Sequence, residues 1–600
     1  MGLKFTGSYE ALQTKLSSLN GDWDDSQLNK KVFKIKDGVM NWFESPDGKI
    51  NFQGKGDGKV QLESEVPSLI CPKENFENLK REQAVSSISS DLVKETVNAS
   101  NTESFERQYL ATGVNEGELV IGIISAVGTE SKHLIDALKD RLKPFGYSSE
   151  EIRVSSILPK FTGSSEYDRI KHYMEEGDSL REKSKNNAIL AAGVAKEIAS
   201  KRGEAKNSKK AYIVNSLKHP SEVEFLRKVY TNGFYLVGIH ADKERRQKYL
   251  TDDQHCLPEQ ARELIRIDED ESIEHGQKTR DTYHLADFFL NVGSNSDQVK
   301  NRLQRFLELI FSHPYKNPTF DEFAMFMAFN SSVRSGDLSR QVGAVISSNN
   351  QIIATGANDV PRSGGGQYWA EVNHDTGEVT DQQDGKDYTR KVDSNKQAQT
   401  EIVEEIAQRL LAEGVVISDN ESALKRILKG SKISDLTEFG RVVHAEMDAL
   451  LSCNRQGITT VGSTLYCTTF PCHNCAKHII ASGVKRVVYV EPYPKSRALD
   501  FHYESIQLKS EFNTSSDEST LVVFEPFIGI GPRRFLDLFS MSLGSGSKLR
   551  RKDKNGSTLE WDKATASIRT PLIPKSYREI EKAASEIWDE RSNNNHSNNL

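Results

Sequence analysis

The first part of the chain shows short runs rich in Val, Ile and Phe, separated by turns that contain glycine. A helical pattern at Tyr9–Leu19 precedes three such runs, at Lys31–Lys36, Val39–Glu44 and Lys49–Gln53. Residues 1–75 therefore predict a small α+β unit, a helix followed by a three-stranded meander. The pattern assigns no role to this unit.

The pattern changes twice in the next part of the chain. Residues 76–117 are rich in Ser, Asn, Glu and Lys and lack a periodic apolar pattern, which predicts a linker. Over residues 118–295 predicted strands alternate with predicted helices, which is typical of a parallel sheet. The strands are expected at Leu119–Ile124, Ala211–Val214 and Phe234–His240.

A second α/β region follows over residues 296–540. Its first strand pair is expected at Val342–Ser347 and Gln351–Gly356, and a polar insertion at 362–440 separates this pair from the later elements. Residues 541–600 are rich in Gly, Ser and basic residues, which predicts a partly disordered C-terminal extension. The fold class is therefore predicted to be α/β.

Composition and charge restrict the functional classes. The 79 basic and 86 acidic side chains give a net charge of −7, which disfavours a broad polynucleotide-binding surface because such surfaces depend on Lys and Arg. The longest apolar run, Leu119–Val127, has about half of the ~20 residues that a transmembrane helix needs, and the N-terminus is unlike a signal peptide. We therefore expect a soluble, cytoplasmic protein without membrane contact. Six cysteines are too few for a disulfide scaffold, and the C-x-x-C pair Cys472 and Cys475 indicates metal or redox chemistry.

The strongest chemical signal joins this cysteine pair to a histidine. His444-Ala445-Glu446 is followed, 28 residues after the histidine, by Pro471-Cys472-His473-Asn474-Cys475. The H-x-E and P-C-x-x-C pattern is that of zinc nucleobase deaminases. We expect Pro471 at the first position of a helix, with both thiols on one face near the positive end of the helix dipole.

These residues predict a catalytic zinc site. His444, Cys472 and Cys475 are expected to bind Zn²⁺ and to leave the fourth tetrahedral position for water. Glu446 is expected to carry protons between water and substrate. Residues two apart on a regular helix point about 200° apart, so His444 and Glu446 must converge through the geometry of the first turn. The competing interpretations are a structural zinc site or a redox cysteine pair, with His473 as an alternative ligand.

Further motifs narrow the substrate. Ser339–Ile346, Gly356–Pro361 and Glu491–Ser496, together with the zinc motifs, resemble the deoxycytidylate deaminase family over residues 318–540. The resemblance implies a cytidine deaminase-like α/β/α domain that uses Zn²⁺ to remove the 4-amino group of a deoxycytidine nucleotide. The insertion at 362–440 contains no cysteine, so the additional zinc site of some family members is not predicted.

The same resemblance assigns the substrate contacts. It implies that Asn358 binds the sugar, that the backbone of Ala445 binds the base edge, and that Tyr493 and Lys495 bind the sugar-phosphate end. Stabilisation of a turn is the alternative role of Asn358, and a solvated surface position is the alternative for Lys495. Arg340 either reaches phosphate or forms a structural ion pair.

The region upstream resembles P-loop nucleotide kinases. Ala211–Pro220 resembles their second core strand and the turn into the next helix. The spacing from Gly122 to Gly128 is one residue too long for a phosphate loop, and Thr129 and Glu130 stand where Lys and Ser or Thr are expected. Phosphoryl transfer is therefore not expected.

Three roles stay open for this degenerate P-loop-kinase-like parallel-sheet domain. Two of them are a scaffold for the second region and an oligomerising module. The other is the binding of a regulatory nucleotide, for which the expected residues are Gly122, Gly128, Thr129 and Lys132.

The combination of both regions resembles the bacterial phage-defence dCTP deaminases. The resemblance implies conversion of dCTP and dCMP to dUTP and dUMP plus ammonia, which depletes dCTP during infection. The expected partners are free deoxycytidine nucleotides, a regulatory nucleotide, further copies of the chain in a homo-oligomer, and an RNA or protein inhibitor. The alternatives are a housekeeping dCMP deaminase that supplies dUMP for dTMP synthesis, and a polynucleotide-editing deaminase, which the acidic balance disfavours.

Overall fold

The computed structural model describes most of the chain outside residues 71–116. The described residues are 5, 7–27, 30–43, 48–54, 56–70, 117–202, 209–269, 275–293, 296–416, 418–436, 438–493, 496–509, 520–544, 548–570, 572, 577–578, 581–582, 585 and 588–589. The linker predicted at 76–117 lies outside them except for Gly117, and so does the end of the predicted C-terminal extension. The chain forms two compact units, Met1–Thr112 and Gly113–Leu600.

The first unit contains a four-stranded antiparallel sheet. Its elements are α1 (Tyr9–Lys15), β1 (Asp22–Gln27), β2 (Lys30–Ile35), β3 (Gly38–Phe43), β4 (Ile50–Gly54) and α2 (Asp57–Ile70), with sheet order β1-β2-β3-β4. The core includes Leu12 of α1, Leu62 of α2 and Trp42 of the sheet. Strand β1 was not part of the predicted meander, because its residues are mostly acidic and polar. Its apolar contact is tertiary, since Trp23 lies opposite Phe33 of β2.

The second unit begins with alternating strands and helices. In chain order they are β5 (Leu119–Ser125), α3 (Ser131–Leu142), β6 (Ser148–Arg153), α4 (Glu166–Ser184), α5 (Ile189–Arg202), β7 (Lys210–Leu217), α6 (Pro220–Tyr230), β8 (Phe234–His240), α7 (Lys243–Lys248), α8 (Pro258–Glu269), α9 (Thr279–Tyr283), β9 (Phe288–Asn291) and α10 (Ser296–Ile310). The strands form a parallel sheet in the order β9-β8-β5-β7-β6. We call this sheet with its helices the upstream module. The parallel sheet predicted from the alternating pattern is confirmed.

A second sheet forms from the later part of the chain. Its elements and those of the insertion are α11 (Phe320–Ser332), β10 (Gly343–Ser348), β11 (Gln351–Ala357), β12 (Glu371–Val372), β13 (Val379–Thr380), α12 (Asp387–Arg390), α13 (Ser394–Ala412), α14 (Glu421–Lys429), α15 (Ala445–Arg455), β14 (Thr464–Thr469), α16 (His473–Ala481), β15 (Arg486–Glu491), α17 (Ala498–Phe501), β16 (Ile506–Leu508), β17 (Val522–Pro526), β18 (Gly529–Ile530) and α18 (Phe535–Phe539). The sheet order is β11-β10-β14-β15-β17-β16, with β10 antiparallel to both neighbours and β14 to β17 parallel. We call this sheet with α11 and α15 to α17 the downstream module. Between β13 and α15 the chain forms helices and loops that do not join the sheet.

A strand pairing and a buried core connect the two modules. β18 follows the downstream sheet directly and pairs antiparallel with β9 of the upstream sheet. One buried core contains Leu226 of α6 and Phe289 of β9 together with Val345 of β10 and Tyr466 of β14. Ile568 and Leu572, which follow the downstream sheet in the chain, are buried against upstream residues. The chain therefore returns to the upstream module after it has completed the downstream sheet.

The buried carboxylate of Glu322 connects the pieces at this junction. It accepts two hydrogen bonds from Arg305 of α10, both at 2.7 Å, and caps its own helix by accepting from the N–H of Thr319 at 2.7 Å. It also accepts from the N–H of Ile530 in β18 at 2.8 Å. Since its side chain has no exposed surface, each partner replaces a contact with water.

The Glu322→Ala substitution should destabilise the fold by about 3–5 kcal/mol, because it leaves the guanidinium of Arg305 and the N–H of Ile530 without their acceptor. The measurement is the urea midpoint of the full chain. As a matched control, Asp297→Ala removes one side of an exposed i,i+3 ion pair with Lys300 and should change stability by less than about 0.5 kcal/mol. Equal shifts for the two variants would contradict the junction role.

Over the described residues, none of the helices has the length and apolar character needed to span a bilayer.

Candidate active site

Close packing between a helix and a strand places the first part of the site. α15 lies against β11, where a Cβ atom on Gly356 would lie only 2.1 Å from the carbonyl oxygen of Ala445. Asp448 of α15 adds a polar link, since it accepts from Arg334 at 2.7 Å and from the N–H of Ala357 at 3.3 Å. The N-terminus of α15 is therefore held at the end of β11.

The backbone around His444 explains how it converges with Glu446. His444 is the N-cap of α15, with φ −68° and ψ 154°, and Glu446 is the second residue of the helix. Because His444 has extended rather than helical torsions, the separation of about 200° that a regular helix would impose does not apply.

The two cysteines occupy the start of the next helix. Cys472 is the N-cap of α16, with φ −68° and ψ 165°, and its Sγ accepts from the N–H of Cys475 at 3.4 Å. Pro471 therefore precedes the cap, and its predicted place at the first helical position is wrong. The expected common helical face of the thiols is also wrong, because Cys472 lies before the first helical residue and reaches Cys475 by a capping contact.

The three predicted ligands surround one point. Nδ1 of His444 lies 3.3 Å from Sγ of Cys475 and 3.4 Å from Sγ of Cys472, and the three ligand atoms lie within 4.8 Å of one another. A tetrahedral zinc ion with bonds of ~2.0–2.1 Å to nitrogen and ~2.3 Å to sulfur separates these atoms by about 3.5 Å. The donor set and its spacing therefore fit zinc. Where the structure describes the chain, no second His, Cys, Asp and Glu cluster has the spacing of a metal site.

Hydrogen bonds and burial set the protonation states of the ligands. A hydrogen bond from Cys475 lowers the pKa of Cys472 to about 4, so Cys472 is a thiolate at neutral pH. A hydrogen bond with Cys472 raises the pKa of His444 to about 9, and burial raises the pKa of Cys475. Metal binding must therefore displace protons from His444 and Cys475, which makes it pH-dependent.

Glu446 is the buried acid beside this cluster. Glu446 is 4% exposed, and burial raises the pKa of its carboxyl above the usual value for Glu. A buried carboxyl beside a metal site is placed to take up and release a proton.

The cluster opens into a cavity of about 420 Å³. Of the residues predicted for the site, those that line the cavity are Asn358, His444, Ala445, Glu446, Cys472 and Tyr493. Cys475 is fully buried within the ligand cluster, and Lys495 lies outside the described residues. The structure thus brings the predicted zinc ligands together with three of the four predicted substrate contacts.

The amide of Asn358 already has two backbone partners. Its Oδ1 accepts from the N–H of Val342 at 2.7 Å, and its Nδ2 donates to the carbonyl of Arg340 at 2.8 Å. These contacts hold the loop before β10 and favour the turn-stabilising role. A second lone pair and a second hydrogen of the amide stay available to a ligand.

Residues outside the recognised motifs complete the cavity wall. Asp387, Asp393 and Asn395 come from the insertion, and Asp281 comes from α9 of the upstream module. The insertion matches no motif, so its contribution was not predicted. One local signal was present, because Asp393 precedes a helical pattern and caps α13 by accepting the N–H groups of Asn395 and Lys396.

A separate cavity of about 240 Å³ lies at the carboxyl ends of β5 and β7. Gly128 and Thr129 line it, whereas Gly122 lies inside β5 against Leu217 and Phe234, and Lys132 is exposed on α3. The structure therefore brings only two of the four residues predicted for a regulatory nucleotide to this cavity.

The carboxylate of Asp268 contacts the loop that lines this upstream cavity. Fully buried Asp268 accepts from the N–H of Val127 at 2.8 Å and from Nζ of Lys218 at 2.8 Å. Loop N–H groups and a lysine are the partners that a nucleotide phosphate uses in a phosphate loop. A phosphate would therefore have to displace Asp268.

Comparison with known proteins places the downstream module. Residues 318–491 match the sequence model of the cytidine and deoxycytidylate deaminase zinc-binding region. The C-terminal part of the chain thus contains a zinc domain of the dCMP and cytidine deaminase family, and the match covers all three ligands and Glu446.

Similarity to individual proteins is confined to parts of the chain. ComE operon protein 2 of Bacillus subtilis (strain 168) is 47% identical over 53 residues, which are 9% of this chain and 28% of that protein. The deoxycytidylate deaminase of Enterobacteria phage T2 is 46% identical over 55 residues, which are 9% of this chain and 29% of the phage protein. The probable deoxycytidylate deaminase of Drosophila melanogaster is 31% identical over 132 residues, which are 21% of this chain and 64% of the fly protein. The chain therefore spans between 28% and 64% of the length of these relatives.

Among solved structures, the dCMP deaminase from the cyanophage S-TIM5 in complex with dCMP and dUMP is similar to the chain at 21% identity. The TM-score is 0.20, and the match covers 36% of this chain and all of the phage chain.

Replacing Cys475 with Ala should release zinc, since two protein ligands hold the ion far less tightly than three. The measurement is the zinc content of the purified full chain. The matched control is Cys453→Ala, which removes another buried thiol, one that does not belong to the ligand cluster, and should leave the zinc content unchanged. A fully metallated Cys475→Ala protein would contradict the ligand assignment.

Proposed function

We propose that the downstream module is a zinc-dependent hydrolytic deaminase that converts dCTP and dCMP to dUTP and dUMP with release of ammonia. The observation that carries the proposal is the convergence of His444, Cys472 and Cys475 beside the buried carboxyl of Glu446, at a cavity large enough for a small ligand. The family match and the relatives named deoxycytidylate deaminase support the deoxycytidine nucleotide as substrate.

The chain's own residues account for the proton transfers. When zinc is bound, it lowers the pKa of a coordinated water molecule towards about 7. Glu446 accepts a proton from the attacking water and delivers it to the ring nitrogen. As the new C4–O bond forms and the C4–N bond breaks, Glu446 takes the second proton of the attacking water from the new hydroxyl and passes it to the amino group, which leaves as ammonia. Burial raises the pKa of this carboxyl above its usual value, which favours its protonated form and so the delivery of the proton to the substrate.

The cavity favours a free nucleotide over a polynucleotide. The described residues that line it include one arginine, Arg340, and no lysine, whereas polynucleotide binding depends on several Lys and Arg contacts to phosphates. Phe470 and Tyr493 of the same wall offer aromatic rings to a pyrimidine.

The upstream module is proposed to act chiefly as a scaffold for the deaminase. The carboxylate of Asp268 competes with a phosphate for its loop, which makes the regulatory nucleotide the weaker alternative. Strand β18 supports the scaffold role, because it follows the downstream sheet in the chain and pairs with β9 of the upstream sheet.

The zinc-loaded full chain should release ammonia from dCMP and dCTP, and should release none from single-stranded DNA or RNA. Ammonia is measured with each of the four substrates under the same conditions. Release from a polymer alone would refute the proposal in favour of polynucleotide editing.

The Glu446→Gln variant should keep its zinc and lose deamination by at least ~100-fold, because the amide retains the shape of the side chain and cannot transfer the proton. Zinc content and the rate of ammonia release are measured together. Glu504→Gln, at an exposed position, is the matched control and should keep the parental rate. A Glu446→Gln rate within tenfold of the parent would contradict the proton-transfer role.

For the cellular role, we propose defence against phage by depletion of dCTP. The support is the resemblance of the two joined modules to phage-defence dCTP deaminases, and the homo-oligomer and the RNA or protein inhibitor are proposals of the same origin. During infection the chain should lower the dCTP pool and limit phage growth, and the Glu446→Gln variant should do neither. The housekeeping alternative predicts instead that the chain restores dTMP synthesis in cells without dCMP deaminase and leaves phage growth unchanged.

A further inference from the structure

A second cavity adjoins the candidate active site. It also measures about 420 Å³, and the two cavities share Asp281, Ser339, Arg340 and Glu491. Beyond these shared residues, its wall comes from both modules, with His284 from the upstream module and Arg533 from the segment after β18. A ligand seated beside the zinc ligands could therefore extend past Arg340 into the space between the modules.

Arg340 stands where the two cavities meet. Its guanidinium lies 5.8 Å from the centre of the Tyr493 ring, which lines the first cavity. It contacts Glu491 at 3.4 Å, and its side chain is 53% exposed. The exposed part of the guanidinium of Arg340 can donate hydrogen bonds to a phosphate while the contact with Glu491 is kept.

Arg533 is the cation of the second cavity that makes no direct ion pair among the described residues. Within the described chain, no carboxylate lies within ion-pair distance of it, and its guanidinium lies 5.5 Å from the centre of the Phe329 ring. The arginines around it differ, since Arg227 and Arg534 both contact Asp287, at 2.9 and 3.4 Å. Arg533 therefore retains hydrogen-bond donors for a ligand.

Backbone pairing sets the place of Arg533. Ile530 of β18 pairs with Phe288 of β9, and the N–H of Gly531 donates to the carbonyl of Asp287 at 2.8 Å. Arg533 follows two residues later in a 3₁₀ turn, Pro532–Arg534. The pairing of β18 with β9 thus places Arg533 in the wall of the second cavity.

The remaining polar groups of this cavity are compatible with an anion. Nδ1 of His284 is buried without a hydrogen-bond partner among the described residues, and burial lowers the pKa of this imidazole to about 4, so it is neutral. Asp281 and Glu491 also face the cavity, but Glu491 is balanced in part by Arg340. Arg533 is therefore the cation of this cavity that has no ion-pair partner to compete with an anion.

We propose that the cavity between the modules is a polyphosphate subsite, in which Arg340 binds the phosphate nearest the sugar and Arg533 binds the distal phosphates of a nucleoside triphosphate. This inference rests on the proposed function and makes Arg533 the residue that distinguishes dCTP from dCMP. It also gives the upstream module a part in substrate selection, because β9 holds the segment that carries Arg533.

The test measures equilibrium binding of dCTP and dCMP to the zinc-loaded full chain carrying Glu446→Gln, with and without Arg533→Ala. Loss of the charged contact should weaken dCTP binding roughly ten- to a hundredfold and change dCMP binding less than threefold. Arg533→Lys should recover part of the dCTP affinity, since lysine keeps the charge without the planar fork. The matched control is Lys228→Ala, an exposed cation that does not line this cavity, and it should leave both affinities unchanged.

Equal losses for the two nucleotides, or no loss for dCTP, would overturn the subsite. Ammonia release by the chain with Glu446 intact is measured separately and reports on the proposed function. A chain that binds dCTP through Arg533 and releases no ammonia would refute the deaminase and retain the subsite. The converse result, active deamination of both nucleotides without any effect of Arg533→Ala on dCTP binding, would refute the subsite alone.

Discussion

The close contact between α15 and β11 is the constraint on which the candidate site depends. At Gly356 no side chain fits between the strand and the carbonyl of Ala445, so the helix lies as near to the sheet as two backbones allow. This approach places His444 and Glu446 at one corner of the downstream sheet. The next helix begins at the same corner with Cys472, and two helix starts thereby supply every group that the zinc chemistry requires.

The rest of the cavity is assembled from distant parts of the chain. Its wall combines the loop before β10, the insertion at 362–440 and α9 of the upstream module. β18 and the carboxylate of Glu322 hold the modules against each other, and they do so next to the cavities rather than far from them. The upstream module therefore supplies part of the wall of the candidate active-site cavity.

The upstream module contains a buried ion pair beside the loop that follows β5. Asp268 and Lys218 form a buried ion pair at the loop, and Asp268 satisfies the N–H of Val127. The carboxylate of Asp268 thus gives a partner to one backbone N–H group of the loop and to the buried ammonium of Lys218.

The sequence by itself determined which residues make up the candidate site: the donor types, their order and their spacing predict His444, Cys472 and Cys475 as zinc ligands and Glu446 as the acid. It could do so because these residues lie at the starts of two helices, where local capping sets their geometry. Only the tertiary structure decided what surrounds them. Arg533 reaches the cavity through a strand pairing between residues more than 200 positions apart in the chain. The edge strands β1 and β6 are polar segments, and each forms by pairing with a more apolar neighbouring strand. Contacts between segments far apart in sequence leave no periodic pattern, so they are set by packing alone.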